Sequence, residues 1–316
     1  MAERIAIVGT GLIGRAWTIA FARAGCSCAL WDPDPAAPAE ALAAIDTLLA
    51  DLATQDLLDG GSAEAVRGRM RAFADLPAAL DGADHVQENA PERLDVKQSL
   101  WRELDRHAAP DTVLASSSSA IVPSRFTADV SRRGRCLVVH PLNPPYLIPA
   151  VEIVPSPWTS AETVERTRAL MTRIGQAPIV MRRELDGFVM NRMQGVLLEE
   201  AFRLVADGVC SVEDVDIGLR EGLALRWSFM GPFETIDLNA PGGVRDYVER
   251  YQGIYERLFP SQQRRVDWAG PVLENLEAGR RARLSADALG ERQRWRDQRL
   301  MALARHKRQA AREIGN

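Results

Sequence analysis

The stretch Val138-Val139-His140-Pro141-Leu142-Asn143-Pro144-Pro145-Tyr146 sets one imidazole beside prolines that recur as far as Pro149. Each proline fixes φ, removes an N–H and pushes its predecessor toward extended geometry. The segment is therefore expected as a strand, a rigid bend and a second strand through Val151-Glu152-Ile153-Val154. The first strand, Cys136 to Val139, is apolar and β-branched and reads as buried, which puts His140 at its carboxyl end. Doubly wound sheets gather their ligands at that end of their strands. A side chain that titrates near neutrality suits removal of a hydroxyl proton there. A lone histidine is more often a satisfied polar residue, so this reading needs a cofactor site and partners elsewhere in the chain.

The cofactor signal lies at the amino end. Arg4-Ile5-Ala6-Ile7-Val8 reads as a short strand running into Gly9-Thr10-Gly11-Leu12-Ile13-Gly14, and a helix is expected from Leu12 to Ala24, closed by Gly25. A lone G-x-G-x-x-G is weak, but between a strand and a helix it has the context of a dinucleotide site. Gly9 permits the tight turn, Gly11 leaves room for a pyrophosphate, and Gly14 lets helix and strand approach. The helix N-terminus supplies N–H donors. The next strand, Cys26 to Trp31, ends at Asp32, where a carboxylate can accept from an adenosine ribose. NADP would need a basic residue nearby, and Pro33, Asp34 and Pro35 follow instead, so NAD is the expected cofactor.

From Ala36 to about Arg71 the sequence is helical, broken at Asp59-Gly60-Gly61, and holds no Lys or Arg between Arg23 and Arg67. Strands are expected at Met70 to Ala74, His85 to Glu88 and Val113 to Ala115, the last tipped by Ser116-Ser117-Ser118-Ser119. Glu92 and Lys97 follow a strand end, where they either face the cofactor or stand exposed at a helix start. After a helix from Ala161 to Ile174 and a strand from Pro178 to Met181, the sheet pattern stops. Asp186 reads as the N-cap of a helix from Gly187 to Ala206. Its stripe of Val189, Met193, Val196, Leu197, Ala201, Leu204 and Val205 is expected to be buried, with Asn191 off the stripe. Ser211 to Asp214 reads as a capping box, and the Arg-rich remainder as helix. The expected organisation is a Rossmann-type doubly wound α/β domain over 1–185 and an all-helical domain over 186–316.

At 316 residues two domains are the natural reading, and 46% hydrophobic with 26% charged residues is an ordinary globular composition. A formal charge of −4 gives no footing for nucleic-acid or membrane binding. The cysteines Cys26, Cys28, Cys136 and Cys210 lack metal-ligand spacing, so no metal is expected and they read as free thiols of a reducing compartment. With no apolar run of the ~18 residues a membrane span needs, a cytoplasmic protein is inferred.

The pattern resembles the L-3-hydroxyacyl-CoA dehydrogenase family, nearest the branch of lambda-crystallin and L-gulonate 3-dehydrogenase. The resemblance runs over nearly the whole chain. It is carried by Gly9 to Arg15, Gln87-Glu88-Asn89-Ala90-Pro91-Glu92, the serine run, His140 to Tyr146, Asp186-Gly187-Phe188-Val189-Met190-Asn191-Arg192 and Gly231-Pro232-Phe233-Glu234-Thr235. It implies His140 as general base with Glu152 as its partner, and Ser119 and Asn191 at the reacting oxygen. It implies cofactor contacts at Gly9, Gly11, Leu12, Ile13, Gly14, Asp32, Glu92, Lys97 and Asn143. The family's usual Asn-Thr within the serine run is Ser117-Ser118 here.

The resemblance further implies a homodimer formed through the helical half. The activity it implies is NAD-dependent oxidation of the 3-hydroxyl of a small hydroxy acid, of the L-gulonate type. A 3-hydroxyacyl-CoA substrate is the near alternative, although the base-free segment after Asp32 offers a CoA phosphate no partner. Arg226 could pair with a free carboxylate, and Leu225-Arg226-Trp227 adds L-carnitine dehydrogenase as a third reading. A protein that binds NAD without turnover is the alternative from another class.

Overall fold

The computed structural model describes residues 3–315. Eight strands form one sheet: β1 Arg4–Val8, β2 Ser27–Trp31, β3 Met70–Ala72, β4 His85–Glu88, β5 Val113–Ser116, β6 Cys136–Pro141, β7 Ala150–Pro155 and β8 Ala177–Val180. Their order is β3-β2-β1-β4-β5-β6-β7-β8. The first six run parallel, β7 lies antiparallel to β6, and β8 runs parallel to β7. This is the expected α/β doubly wound sheet, with its change of winding direction between β1 and β4.

A parallel sheet covered on both faces needs strands that are apolar throughout. β1 meets that need: Ile5 and Ile7 enter one core cluster, while Ala6 and Val8 enter the other. The first cluster takes Trp17 and Phe21 from the helix Leu12–Arg23, and the second takes Trp101 and Leu104 from the helix Leu94–His107. Fully burying one such large apolar side chain stabilises the fold by about 1.5–3 kcal/mol.

Three expectations are corrected. β6 does not stop at Val139 but continues to Pro141, because β7 pairs with it from Leu137↔Pro155 to Pro141↔Val151 and carries the ladder past His140. The long helix starts at Met190 rather than Gly187. Gly187 and Phe188 have φ of 77° and 49°, outside the helical region, so Asp186 cannot cap it directly. The apolar stripe of that helix is not buried within the chain: Met193 is 54% and Val196 72% exposed. Periodicity requires a cover for that face but does not say that the chain's own residues provide it.

The described residues fall into two compact units. One runs to Met190 and takes in Asp297–Arg305, five residues beyond the expected division at 185 and with a segment from near the carboxyl end. Met301 from that segment is 2% exposed and belongs to the first core cluster. The other unit comprises Asn191–Arg296 and resumes at His306. Its described residues are helical, including Val212–Ile217, Gly243–Gln262 and Pro271–Arg283. The expected capping box opens Val212–Ile217, with Ser211 and Asp214 as reciprocal partners. Within this unit the guanidinium of Arg203 donates to the carbonyls of Gln262 and Arg264, satisfying acceptors at the end of the helix Gly243–Gln262. No helix among the described residues is long and apolar enough to cross a membrane.

Candidate active site

Four neighbouring parallel strands, β1, β4, β5 and β6, end along one edge of the sheet, and each delivers a loop there. The loops hold Gly9 to Gly14, Asn89 to Glu92, Ser117 to Ser119 and Leu142 to Asn143. The sheet register aligns the strand ends: Val8 pairs Glu88, Glu88 pairs Ser116, and Ser116 pairs Val138.

The glycine loop is built by close approach. Gly9 has φ +89°, and a Cβ there would lie 2.9 Å from the Asn89 carbonyl group. A Cβ on Gly14 would land on the Gly9 carbonyl oxygen. A Cβ on Gly11 would meet no protein atom within 4 Å, so the space before the helix N-terminus is open. Leu12 is exposed beside it and Ile13 packs partly against the first core cluster. Asp32 Oδ2 accepts the Thr10 amide at 2.7 Å, fixing the loop to the end of β2, and its other oxygen accepts Asp34 N at 3.1 Å. Carboxylate oxygens carry further acceptor capacity for a ribose. Asn143 Oδ1 is buried and lacks a hydrogen-bond partner among the described residues. An open cradle at a helix N-terminus, a carboxylate at the end of β2 and an orphaned amide oxygen next to β6 fit a dinucleotide with a carboxamide-bearing ring.

His140 and Glu152 stand directly opposite each other in the antiparallel β6–β7 ladder. His140 Nδ1 lies 2.7 Å from Glu152 Oε2. Glu152 is 0% exposed, and its Oε1 accepts the amides of Val189 at 2.6 Å and Met190 at 2.9 Å. Burial alone would raise the carboxyl's pKa. Hydrogen bonds from His140 and from the Met190 and Val189 amides outweigh it and hold the pKa below the ordinary value. The acid is thus an anion beside the imidazole, and it also serves the helix start where Asp186 was expected. The Phe188 ring, fully buried, lies 5.5 Å from the imidazole and tilted by 58°.

The serine loop is sorted by its partners. Ser118 is buried and donates to Glu92 Oε1 at 2.5 Å, and the same oxygen accepts the Ala120 and Ile121 amides at 2.9 and 3.0 Å. Burial pushes the Glu92 pKa up, and these donors with the nearby Lys97 bring it below its usual value. Ser119 is exposed at the loop tip. Ser117 Oγ accepts Trp17 Nε1 at 3.0 Å and Gln87 Nε2 at 2.8 Å, and donates to Asn89 Oδ1 at 2.7 Å.

Lys97 is not exposed at a helix start. It is 1% exposed, with its ammonium 3.0 Å from Glu88 Oε1, 3.3 Å from Ser116 Oγ and 3.9 Å from Glu92 Oε2. Glu88, 0% exposed, also accepts Ser116 Oγ, Trp101 Nε1 and the Ala90 amide. An ammonium taken out of water needs its charge matched, and Glu88 supplies the match. Sequence reasoning missed Glu88, Phe188 and Ser117. The signal for Glu88 was composition: one of only two lysines in the chain lies nine positions after it. Asn191, in the first turn of the helix Met190–Ala206, and Arg226, exposed on the short helix Ala224–Trp227, belong to the second unit.

A dinucleotide cradle and an imidazole–carboxylate pair on one edge of a doubly wound sheet define a NAD-dependent oxidoreductase acting on CH–OH groups. Residues 4–185 match the 3-hydroxyacyl-CoA dehydrogenase NAD binding domain, and residues 187–283 match the C-terminal domain of the same enzymes. The chain belongs to the 3-hydroxyacyl-CoA dehydrogenase family. It is 41% identical over 308 residues to a lambda-crystallin homolog of Bos taurus, covering 96% of each chain. It is 34% identical over 302 residues to an L-carnitine dehydrogenase of Pseudomonas aeruginosa, covering 95% of this chain and 92% of that one. Among solved structures, an NAD+-dependent dismutase, 5-formyl-3-hydroxy-2-methylpyridine 4-carboxylic acid 5-dehydrogenase, superposes with a TM-score of 0.83 at 29% identity, covering 96% of this chain and 98% of that one.

Proposed function

We propose that the protein oxidises the 3-hydroxyl of a small L-3-hydroxy acid, of the L-gulonate type, with His140 as general base. The observation that carries this reading is the 2.7 Å contact between His140 Nδ1 and a Glu152 held as an anion. With Nδ1 donating to the carboxylate, Nε2 is the nitrogen that takes the hydroxyl proton, and Glu152 stabilises the imidazolium that forms. NAD, when bound, accepts the hydride that leaves the same carbon. Ser119 and Asn191 orient the oxygen and favour the polarised C–O bond. The placement of Ser119 is supported by the commitment of Ser118 to Glu92.

A small substrate is favoured over a CoA thioester by the segment after Asp32. It carries Asp46, Asp51, Asp56 and Asp59 and no base before Arg67. The likeness to L-carnitine dehydrogenases supports a second reading, in which the substrate is again a 3-hydroxy acid and Arg226 pairs with its carboxylate. We take the protein as a cytoplasmic homodimer assembled through the helical unit. Its open apolar stripe and the four free thiols support that view.

Wild type and His140→Ala are to be offered gulonate, 3-hydroxybutyrate, carnitine and 3-hydroxybutyryl-CoA with NAD, following reduced cofactor by absorbance. The expected result is turnover of a free hydroxy acid, with kcat about 10²-fold lower or more in the variant and NAD affinity unchanged. Preference for the thioester would overturn the substrate assignment. Equal rates in the variant would remove His140 as base, and silence on every alcohol with NAD bound would make the protein a sensor.

A further inference from the structure

Phe188 is a bulky residue held at φ +49°, next to Gly187 at φ +77°. A side chain of that kind in the left-handed region is an outlier, and it persists only where the surroundings over-determine it. Two consecutive left-handed residues swing the next two amides, Val189 and Met190, onto one oxygen of Glu152. The other oxygen is then left to His140 Nδ1. The same turn sets the Phe188 ring against the imidazole, at a separation and tilt within the edge-to-face range. Carboxylate and ring thus hold the imidazole from two sides, and 7% of His140 remains exposed.

We propose that the Gly187–Phe188 turn is the positioning element of the proton-transfer pair, and that Phe188 is a positioning residue for His140. The proposal rests on the reading of His140 as base. The turn does two things at once. It locks the carboxylate so that one oxygen always faces Nδ1, and it blocks the ring flip that would exchange Nδ1 with Cδ2 and Nε2 with Cε1. A flipped imidazole would present a carbon where Nε2 meets the hydroxyl and leave Glu152 short of a donor. A filler role alone would not need the left-handed backbone, which no packing demand of the core cluster imposes.

The test is Phe188→Leu, with Phe188→Met as a second variant should the first fold poorly. Both keep an apolar side chain of comparable volume and remove the ring. Two quantities are read: the imidazole nitrogen resonances of His140, assigned by their loss in His140→Ala, and kcat set against the NAD dissociation constant. Wild type is expected to show a single Nδ1–H tautomer. The variants are expected to show a mixture, with kcat about 10-fold lower and NAD affinity unchanged, the cost of a misaligned catalytic group. A single tautomer with wild-type kcat in a folded variant overturns the proposal, whatever the melting temperature does. If His140→Ala itself turns over normally, the base assignment falls instead, so the two failures are told apart.

Discussion

At the scale of single residues, what decides a side chain's role is where its partner comes from. Lys97 was expected to face the cofactor or to stand exposed, and the structure buries its ammonium against Glu88. Lys97→Met leaves the Glu88 carboxylate buried without a countercharge, and removal of one partner from such a pair costs about 3–5 kcal/mol. Urea denaturation is expected to show a loss of that size while NAD still binds. An undisturbed midpoint with weakened NAD binding would return Lys97 to the cofactor. The His140–Glu152 pair was read from the sequence through the family resemblance, since local pattern alone shows only two polar residues near apolar strands. The cross-strand register that sets them opposite each other is a property of β7's direction, which local sequence does not encode.

Secondary-structure elements were easier to read wherever one residue type had a single purpose. The strand–glycine–helix unit was legible because only glycine tolerates the Gly9 backbone and the Gly14 approach. The two helix-proximal glycines make different predictions for stability. Gly11→Ala adds a Cβ that meets no protein atom, so the melting temperature is expected to hold while NAD affinity drops in a titration. Gly14→Ala drives a methyl group into the Gly9 carbonyl and is expected to lower both. If Gly11→Ala binds NAD as wild type does, the pyrophosphate does not pass there. The start of the long helix was misread because its capping carboxylate lies far upstream in β7, beyond the reach of any cap rule based on neighbouring residues.

Over the whole molecule, the central strand β4 carries three buried polar side chains, His85 and Gln87 toward one face of the sheet and Glu88 toward the other. Strand signals found β4, but its polar satisfaction is tertiary: Gln87 bridges His85, Ser117 and the Val139 carbonyl. Burial pushes the His85 pKa down from 6.5 to about 4. Below about pH 6.5 the unfolded chain takes up a proton that the folded one refuses, so stability falls as pH drops toward about 4 and is flat below. At 1.36 kcal/mol per unit, this residue alone accounts for a loss of about 3 kcal/mol. Denaturant midpoints of wild type and His85→Asn measured across that window are expected to converge on acidification. Parallel curves would mean that His85 is not buried neutral.

The insertion of Met301 into the first core makes the nucleotide-binding half a body of two chain segments rather than a terminal module. Exchanging Asn191–Arg296 for another helical segment therefore takes two junctions, one after Met190 and one before Asp297. A fusion made at a single seam would leave an empty socket in the hydrophobic interior. Within such an architecture, the stretch between those junctions can diverge in sequence while both of its anchors stay fixed and the sheet is left untouched.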